Sequence, residues 1–229
     1  MNISLNHNVI WVAPEETGER VFAEIFEDYD FYQCLVGNNS ELKEFGITSY
    51  SNSNKIPEKY QDFDIFCSIR NPYDRIWACY VNLYTTKFNP KTLETIKKNF
   101  NQFLDDVFWV TTDGIKIDPF FSENSYFSKW TFEDIIPNTF IKYENLYEDL
   151  KKLKFLNFDH LKLSETEMKQ KISKIDSSFD FRDLYDVKNA NKIFHFYKKT
   201  FYMLDYDPFS FTKEVFSDED RINFIHSYL

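Results

Sequence analysis

Apolar and polar residues along this chain follow two periods, and the switch between them marks its first elements. Residues 8–13 (NVIWVA) are an apolar run of β-branched and aromatic residues bounded by Asn and Pro, and predict a buried strand. Residues 14–19 (PEETGE) are polar and turn-forming. Over residues 20–29 the apolar positions Val21, Phe22, Ile25 and Phe26 fall three and four apart, the spacing of one helix face. Strand, Gly-bearing loop and helix in that order form the opening unit of a parallel α/β sheet.

The same reading extends along the chain. Residues 63–69 (FDIFCSI) predict a second strand running into Arg70-Asn71-Pro72, where the proline ends the strand and suits an early helix position. Residues 73–84 follow as a helix with Ile76, Trp77, Tyr80 and Val81 along one side. Residues 93–109 predict another amphipathic helix, closed by a turn at Asp113-Gly114. Residues 139–143 (TFIKY) predict a third strand, and 144–153 a helix behind it. Residues 179–204 read as mostly helical, with Val187, Ile193, Phe194, Tyr197 and Phe201 as the apolar stripe.

Signals are weak over residues 35–61, apart from a turn at Gly37-Asn38-Asn39 and a polar loop over 49–57. Residues 205–229 are acidic and aromatic and predict no particular element. No repeat, low-complexity block or linker interrupts the pattern. The expectation is one α/β domain over residues 1–229, a parallel sheet flanked by helices.

Composition narrows the picture. With 229 residues and 43% hydrophobic content the chain can bury a sizeable core. It contains no run of about 18 apolar residues, so no membrane span is expected. No basic n-region precedes a cleavage-type sequence at the N-terminus, so no signal peptide is expected. Cys34, Cys67 and Cys79 are odd in number and lack metal spacing, which points to a reduced, cytoplasmic setting and no metal. A formal charge of -10 disfavours broad binding to nucleic acid or anionic membranes. An anion then needs positive charge gathered locally, and the chain has only Arg20, Arg70, Arg75, Arg182 and Arg221 as arginines. Three of these fall in the two segments that carry the candidate chemistry.

The first segment is the loop after the opening strand. A Gly-bearing turn that starts a helix aims backbone N–H groups and the helix dipole at one spot, which suits phosphate or sulfate. Thr17 adds a hydroxyl and Gly18 permits close backbone approach. An ordinary βα turn is the alternative. The second segment is IRNPYDRIWACY, residues 69–80, whose strand delivers Arg70 to the carboxyl edge of the sheet, where open α/β folds bind ligands. For Asp74 and Arg75 the alternative is an acid favouring the helix start and a solvated cation.

This second string resembles the R-[ND]-P-x-[DE]-R-x-x-S-x-Y signature of carbohydrate-type and related bacterial sulfotransferases, matched at Arg70, Asn71, Pro72, Asp74, Arg75 and Tyr80. The resemblance implies a P-loop-like sulfotransferase fold, with 3'-phosphoadenosine 5'-phosphosulfate as donor and 3'-phosphoadenosine 5'-phosphate as product. It assigns the 3'-phosphate to Arg70 and to the serine position, which is Ala78 here. The family's P-[KR]-[ST]-G-[ST]-[ST] loop, which holds the 5'-phosphosulfate, is similar to Pro14-Glu15-Glu16-Thr17-Gly18-Glu19-Arg20 if one residue is inserted. Thr17 and Gly18 match, while Glu16 stands at the lysine position and Glu19 and Arg20 at the hydroxyl positions. A carboxylate there repels a polyanion, by roughly 4 kcal/mol for unit charges at about 4 Å and an effective dielectric near 20. Three arrangements would answer this: Arg20 takes over the lysine's task, a lysine reaches in from elsewhere, or the alignment shifts by one residue; Glu16 is the candidate acid–base group.

Weaker similarities follow in order. Residues 118–130 resemble the family's polar-aromatic loop. Residues 140–153 carry its [FY]-[EL]-x-L-x-x-D pattern, and 182–207 resemble its C-terminal helix. His7, His160, His195 and His226 are scattered without metal spacing, and His195 sits among apolar residues as a core or boundary position. The implied acceptor is a hydroxyl on a small molecule or carbohydrate. Two other readings stay open: a sulfotransferase-like binding module without transfer, and a P-loop phosphotransferase. The latter lacks G-x-x-x-x-G-K-[ST].

Overall fold

The computed structural model describes residues 2–14, 16–33, 60–82, 92–111, 114–117, 137–175 and 180–227. Cys34, the turn at residues 37–39, the loop 49–57, Asp113 and the segment 118–130 lie outside the described residues. In chain order the strands are β1 (Asn2–Ser4), β2 (Val9–Val12), β3 (Tyr32–Gln33), β4 (Asp64–Ile69), β5 (Phe108–Thr111), β6 (Gly114–Ile117) and β7 (Thr139–Lys142). The helices are α1 (Glu19–Ile25), α2 (Pro72–Tyr80), α3 (Leu93–Val107), α4 (Leu146–Leu150) and α5 (Glu165–Ile175). They continue with α6 (Val187–Phe196), α7 (Lys198–Met203) and α8 (Asp218–His226). The fold is α/β. Contacts divide it into two units, one from Met1–Arg70 and Lys129–Ile175, the other from Asn71–Ser128 and Asp176–Leu229.

The first unit holds a sheet of order β3-β1-β2-β4-β7. Strands β2, β4 and β7 run parallel, with Trp11 beside Phe66 and Ile69 beside Lys142. The expected parallel sheet is in fact mixed, because β1 pairs antiparallel with both β2 and β3. Only residues 5–8 join β1 to β2, far too few for a parallel crossover, and Asn8 turns the chain at φ 54°. Side chains alternate between the two faces. Val9, Trp11 and Phe66 pack with Val21, Phe22, Ile25 and Phe26 from α1, Leu146 and Leu150 from α4, and Met168 from α5. Ile10 packs on the other face with Ile3 and Tyr60.

The strand expected over 139–143 stops at Lys142, and the helix behind it begins as a 3-10 turn, Tyr143–Asn145. Asp149 causes this. Its buried carboxylate accepts the Lys142 N–H at 2.7 Å and the Asn145 amide at 2.9 Å, folding α4 back onto the strand end. Helix α5 starts at a reciprocal cap. Ser164 Oγ accepts the Glu167 N–H at 3.3 Å, and the Glu167 carboxylate accepts the Ser164 N–H at 2.8 Å. The carboxylate also accepts the Ser164 hydroxyl at 2.7 Å, and this bond first, then the one from the Ser164 N–H, holds the Glu167 carboxyl below its ordinary value.

The second unit is helical with an aromatic core. Pro72 opens α2, and the Asn71 side chain accepts the Tyr73 N–H at 3.0 Å, which is why the chain turns helical directly after Arg70. Helix α3 buries Ile96, Phe100, Phe103, Leu104 and Val107, the predicted stripe. It ends two residues earlier than expected, because Phe108 and Trp109 enter the β5–β6 hairpin. The expected helix over 179–204 is broken into a 3-10 turn, α6 and α7. Val187 is 52% exposed and does not belong to the stripe, whereas Ile193, Phe194 and Phe201 are buried with Trp77, Phe100 and Tyr185. Helix α8, for which the sequence predicts nothing, is anchored by Phe224 against Phe194, Phe209 and Phe211. Among the described residues no helix is long and apolar enough to cross a membrane, and Cys67 and Cys79 are buried and outside any disulfide among those residues.

His195 on α6 gives this unit a pH dependence. Burial pushes its imidazole below the ordinary value. A hydrogen bond with the Phe224 backbone opposes the shift, and Lys198 and His226 reinforce it. The unfolded chain therefore takes up a proton first as pH falls below about 6.5, and native stability falls with it. Urea midpoints measured between pH 8 and pH 5 are expected to decline on acidification (endpoints about those of the maximal-stability range), with a shallower decline in His195→Gln. Parallel profiles for the two proteins would show that His195 is not the source.

Candidate functional site

In the first unit, the parallel register fixes which residues meet at the carboxyl edge. Ile69 and Lys142 are partners, so Arg70 and Tyr143 leave the sheet side by side. The Arg70 guanidinium lies 4.6 Å from the centre of the Tyr143 ring, a cation–π contact, and Arg70 is only 1% exposed. Val12 pairs with Cys67, so the loop after β2 runs past Ser68, the next residue of β4.

That loop is bent by two left-handed residues, Glu16 at φ 61° and Gly18 at φ 101°. Thr17 between them is not among the positive-φ residues, so the sign of φ alternates along the loop. The two left-handed residues bend the backbone sharply on either side of Thr17. Gly18 is also the residue before α1, with both Val21 and Phe22 N–H groups bonded to its carbonyl at 2.9 and 3.0 Å. Two demands meet there. The left-handed φ disfavours any Cβ, and a Cβ would lie 2.5 Å from Tyr143 Cδ2 and 2.7 Å from Cε2. The sequence reading gives the close approach at Gly18 to an anion, whereas in the structure the Tyr143 ring stands there.

Thr17 departs from its predicted use. It is fully buried, and its Oγ1 lies 2.5 Å from the Pro14 carbonyl and 2.8 Å from Ser68 Oγ. The one proton of the hydroxyl goes to the Pro14 carbonyl, so it ties the loop together instead of pointing at an anion. Pro14 is buried, Glu16 and Glu19 are half-buried, and Arg20 is exposed at the second position of α1. The structure thus gathers Pro14, Thr17 and Gly18 with Ser68 and Tyr143, and links Arg70 to them through the Tyr143 ring. Ser68 and Tyr143 escape the sequence reading. Ser68 reads as one small residue in an apolar strand, and Tyr143 as the last residue of a strand.

Ala78 belongs to α2 in the second unit, where it is buried. Asp74 and Arg75 on the same helix are buried as well, which removes the alternative of a solvated arginine. Burial pushes the Tyr197 phenol far above its usual range, and the charge and hydrogen bond of Arg75 oppose that shift. Arg75 is therefore a partner of Tyr197. Among the described residues no group of three or more His, Cys, Asp and Glu side chains is placed to hold a metal ion.

Gly18→Ala is expected to cost about 2 kcal/mol or more, because left-handed strain and the ring contact act together. The urea midpoint reads this loss. Adding Tyr143→Leu to Gly18→Ala should recover only the part due to the ring, and strict additivity of the two changes would show that the contact is relaxed without cost.

No family model, curated protein or solved structure matches this chain, so its chemistry rests on the residues themselves.

Proposed function

We propose that this chain is a sulfotransferase-like α/β protein that binds 3'-phosphoadenosine 5'-phosphosulfate and passes its sulfonate to a hydroxyl acceptor, a small molecule or carbohydrate. The observation that carries the reading is the parallel β2–β4–β7 register, which puts the described loop residues after β2 (13, 14 and 16–18) and Arg70 at one carboxyl edge of the first unit. This edge is where open α/β sheets take their ligands. Support also comes from the match of residues 70–80 to the family string.

On this reading the curved backbone of residues 16–18 and the Arg20 guanidinium steady the 5'-phosphosulfate, and Arg70 takes the 3'-phosphate. Arg70 also stacks on the Tyr143 ring, and its planar guanidinium suits a phosphate. The sulfur–oxygen bond to the 5'-phosphate breaks as one to the acceptor oxygen forms, and the acceptor's proton passes to a carboxylate, for which Glu16 is the candidate. The product is 3'-phosphoadenosine 5'-phosphate.

One observation favours a second reading, binding without transfer. The Thr17 hydroxyl is spent on Pro14 and Glu16 stands at the family's lysine position, so the loop presents no cationic side chain before Arg20. It speaks equally against a P-loop phosphotransferase, which uses that hydroxyl and a lysine.

Titration calorimetry with 3'-phosphoadenosine 5'-phosphate tests the site. Binding is expected in the wild type and about 10- to 100-fold weaker in Arg20→Ala, the worth of a charged hydrogen bond. Because Arg20 is exposed, that variant leaves the core intact. Arg70→Ala is expected to abolish binding, with folding checked by circular dichroism. No heat at millimolar ligand would overturn the reading. Where binding holds, donor consumption decides between transfer and binding alone. It is expected in the wild type and slower in Glu16→Gln, whose amide cannot take the acceptor's proton. Consumption by neither protein would leave the binding reading in its place.

A further inference from the structure

Three polar side chains are linked to one another inside the first unit. Trp11 on β2 is 4% exposed, and Ser68 on β4 and Thr17 in the loop are fully buried. Trp11 Nε1 lies 3.3 Å from Ser68 Oγ, Ser68 Oγ lies 2.8 Å from Thr17 Oγ1, and Thr17 Oγ1 lies 2.5 Å from the Pro14 carbonyl oxygen. An indole N–H can only donate, a carbonyl can only accept, and each hydroxyl has a single proton. The chain of bonds therefore has one direction. Trp11 donates to Ser68, Ser68 to Thr17, and Thr17 to Pro14.

We propose that Trp11 and Ser68 are positioning residues which, acting through Thr17, hold Pro14 and residues 16–18 in the backbone conformation that receives the donor's phosphosulfate. The inference rests on the loop's role given under Proposed function. The relay closes on a loop carbonyl, not on a strand or helix. It ties Pro14, where the loop begins, to Thr17, which sits between the left-handed residues Glu16 and Gly18. Phe22 and Phe66 flank Trp11, with ring centres 5.2 and 6.3 Å away, so packing alone would be served as well by a phenylalanine at position 11 and an alanine at 68. Burying an indole N–H and two hydroxyls carries a desolvation cost that packing does not require. Once satisfied, such a network selects a single arrangement.

Thr17→Val keeps the shape of the side chain and removes both of its hydrogen bonds. Ser68→Ala removes the middle of the relay, and Thr17→Ser keeps it. Cleavage by a glutamate-specific protease reads the loop directly after Glu16 and Glu19, with cleavage after Glu165 and Glu167 on α5 as an internal control. In ligand-free protein, Thr17→Val and Ser68→Ala are expected to be cut about ten-fold faster in the loop, the equivalent of one buried hydrogen bond, with the control sites unchanged. Affinity for 3'-phosphoadenosine 5'-phosphate should weaken by about the same factor, and Thr17→Ser should match the wild type in both measurements. If the wild type binds no nucleotide, the functional reading fails while loop-selective cleavage still establishes the positioning. Unchanged cleavage, or cleavage that rises equally at the control sites, would overturn the positioning role. Should Thr17→Val fail to fold, Ser68→Ala, which removes a single oxygen, carries the test.

Discussion

Gly18 lacks a side chain because the Tyr143 ring stands where one would go, within 2.5 Å of any added Cβ. Much of the first unit's carboxyl edge follows from that contact. The ring can stand there because β7 ends at Lys142, and it ends there because Asp149 takes the Lys142 N–H. With Tyr143 so placed, Arg70 finds an aromatic face beside it at the end of β4. Three strand ends therefore converge through one missing Cβ. Any other residue at position 18 would have to push the ring away and would move the guanidinium's support with it.

The other side of the loop is held by polar bonds instead of a steric fit. The Trp11–Ser68–Thr17–Pro14 relay sits among Phe22, Phe26 and Phe66, where a polar atom without a partner would be costly. Ring contacts tolerate a range of angles, and those around Trp11 run from stacked to edge-on. Hydrogen bonds at 2.5 to 3.3 Å do not. The aromatic cluster supplies burial, and the relay chooses one loop geometry within it.

How much of this the sequence discloses depends on whether a signal is periodic or positional. The apolar runs of β2 and β4, the Asn71-Pro72 start of α2 and the stripe of α3 are periodic or punctuated, and all are legible. Strands β1 and β3 are three and two residues long, too short to show alternation, so the mixed character of the sheet is invisible beforehand. Helices α5 and α8 drew no expectation from the sequence, although their starts carry a local signal. Ser164 with Glu167 and Ser217 with Asp220 are capping pairs three residues apart. Val187 shows the reverse error. Being apolar at the head of α6 it continues the stripe on paper, yet burial begins two residues later, at Asn189. For the site, the glycine requirement at position 18 is legible, but the direction of the Thr17 hydroxyl is not. Sequence gives a donor's presence, and only the fold decides where its proton goes.

That direction bears on how such a loop meets an anion. In an acidic chain with Glu16 at the critical position, attraction cannot come from a lysine in the loop. On the proposed function it must come from backbone N–H groups of the loop bent by the residues at φ 61° and 101°, from Arg20 at the surface and from Arg70 beneath. Backbone groups carry only partial charges, so their effect depends on being aimed before the ligand arrives. A loop that relies on them needs a rigid support more than one that carries a mobile cation. The buried tie from Thr17 to Pro14 and the ring against Gly18 provide such support. The hydroxyl's loss as a ligand contact and its gain as a brace thus belong to the same arrangement.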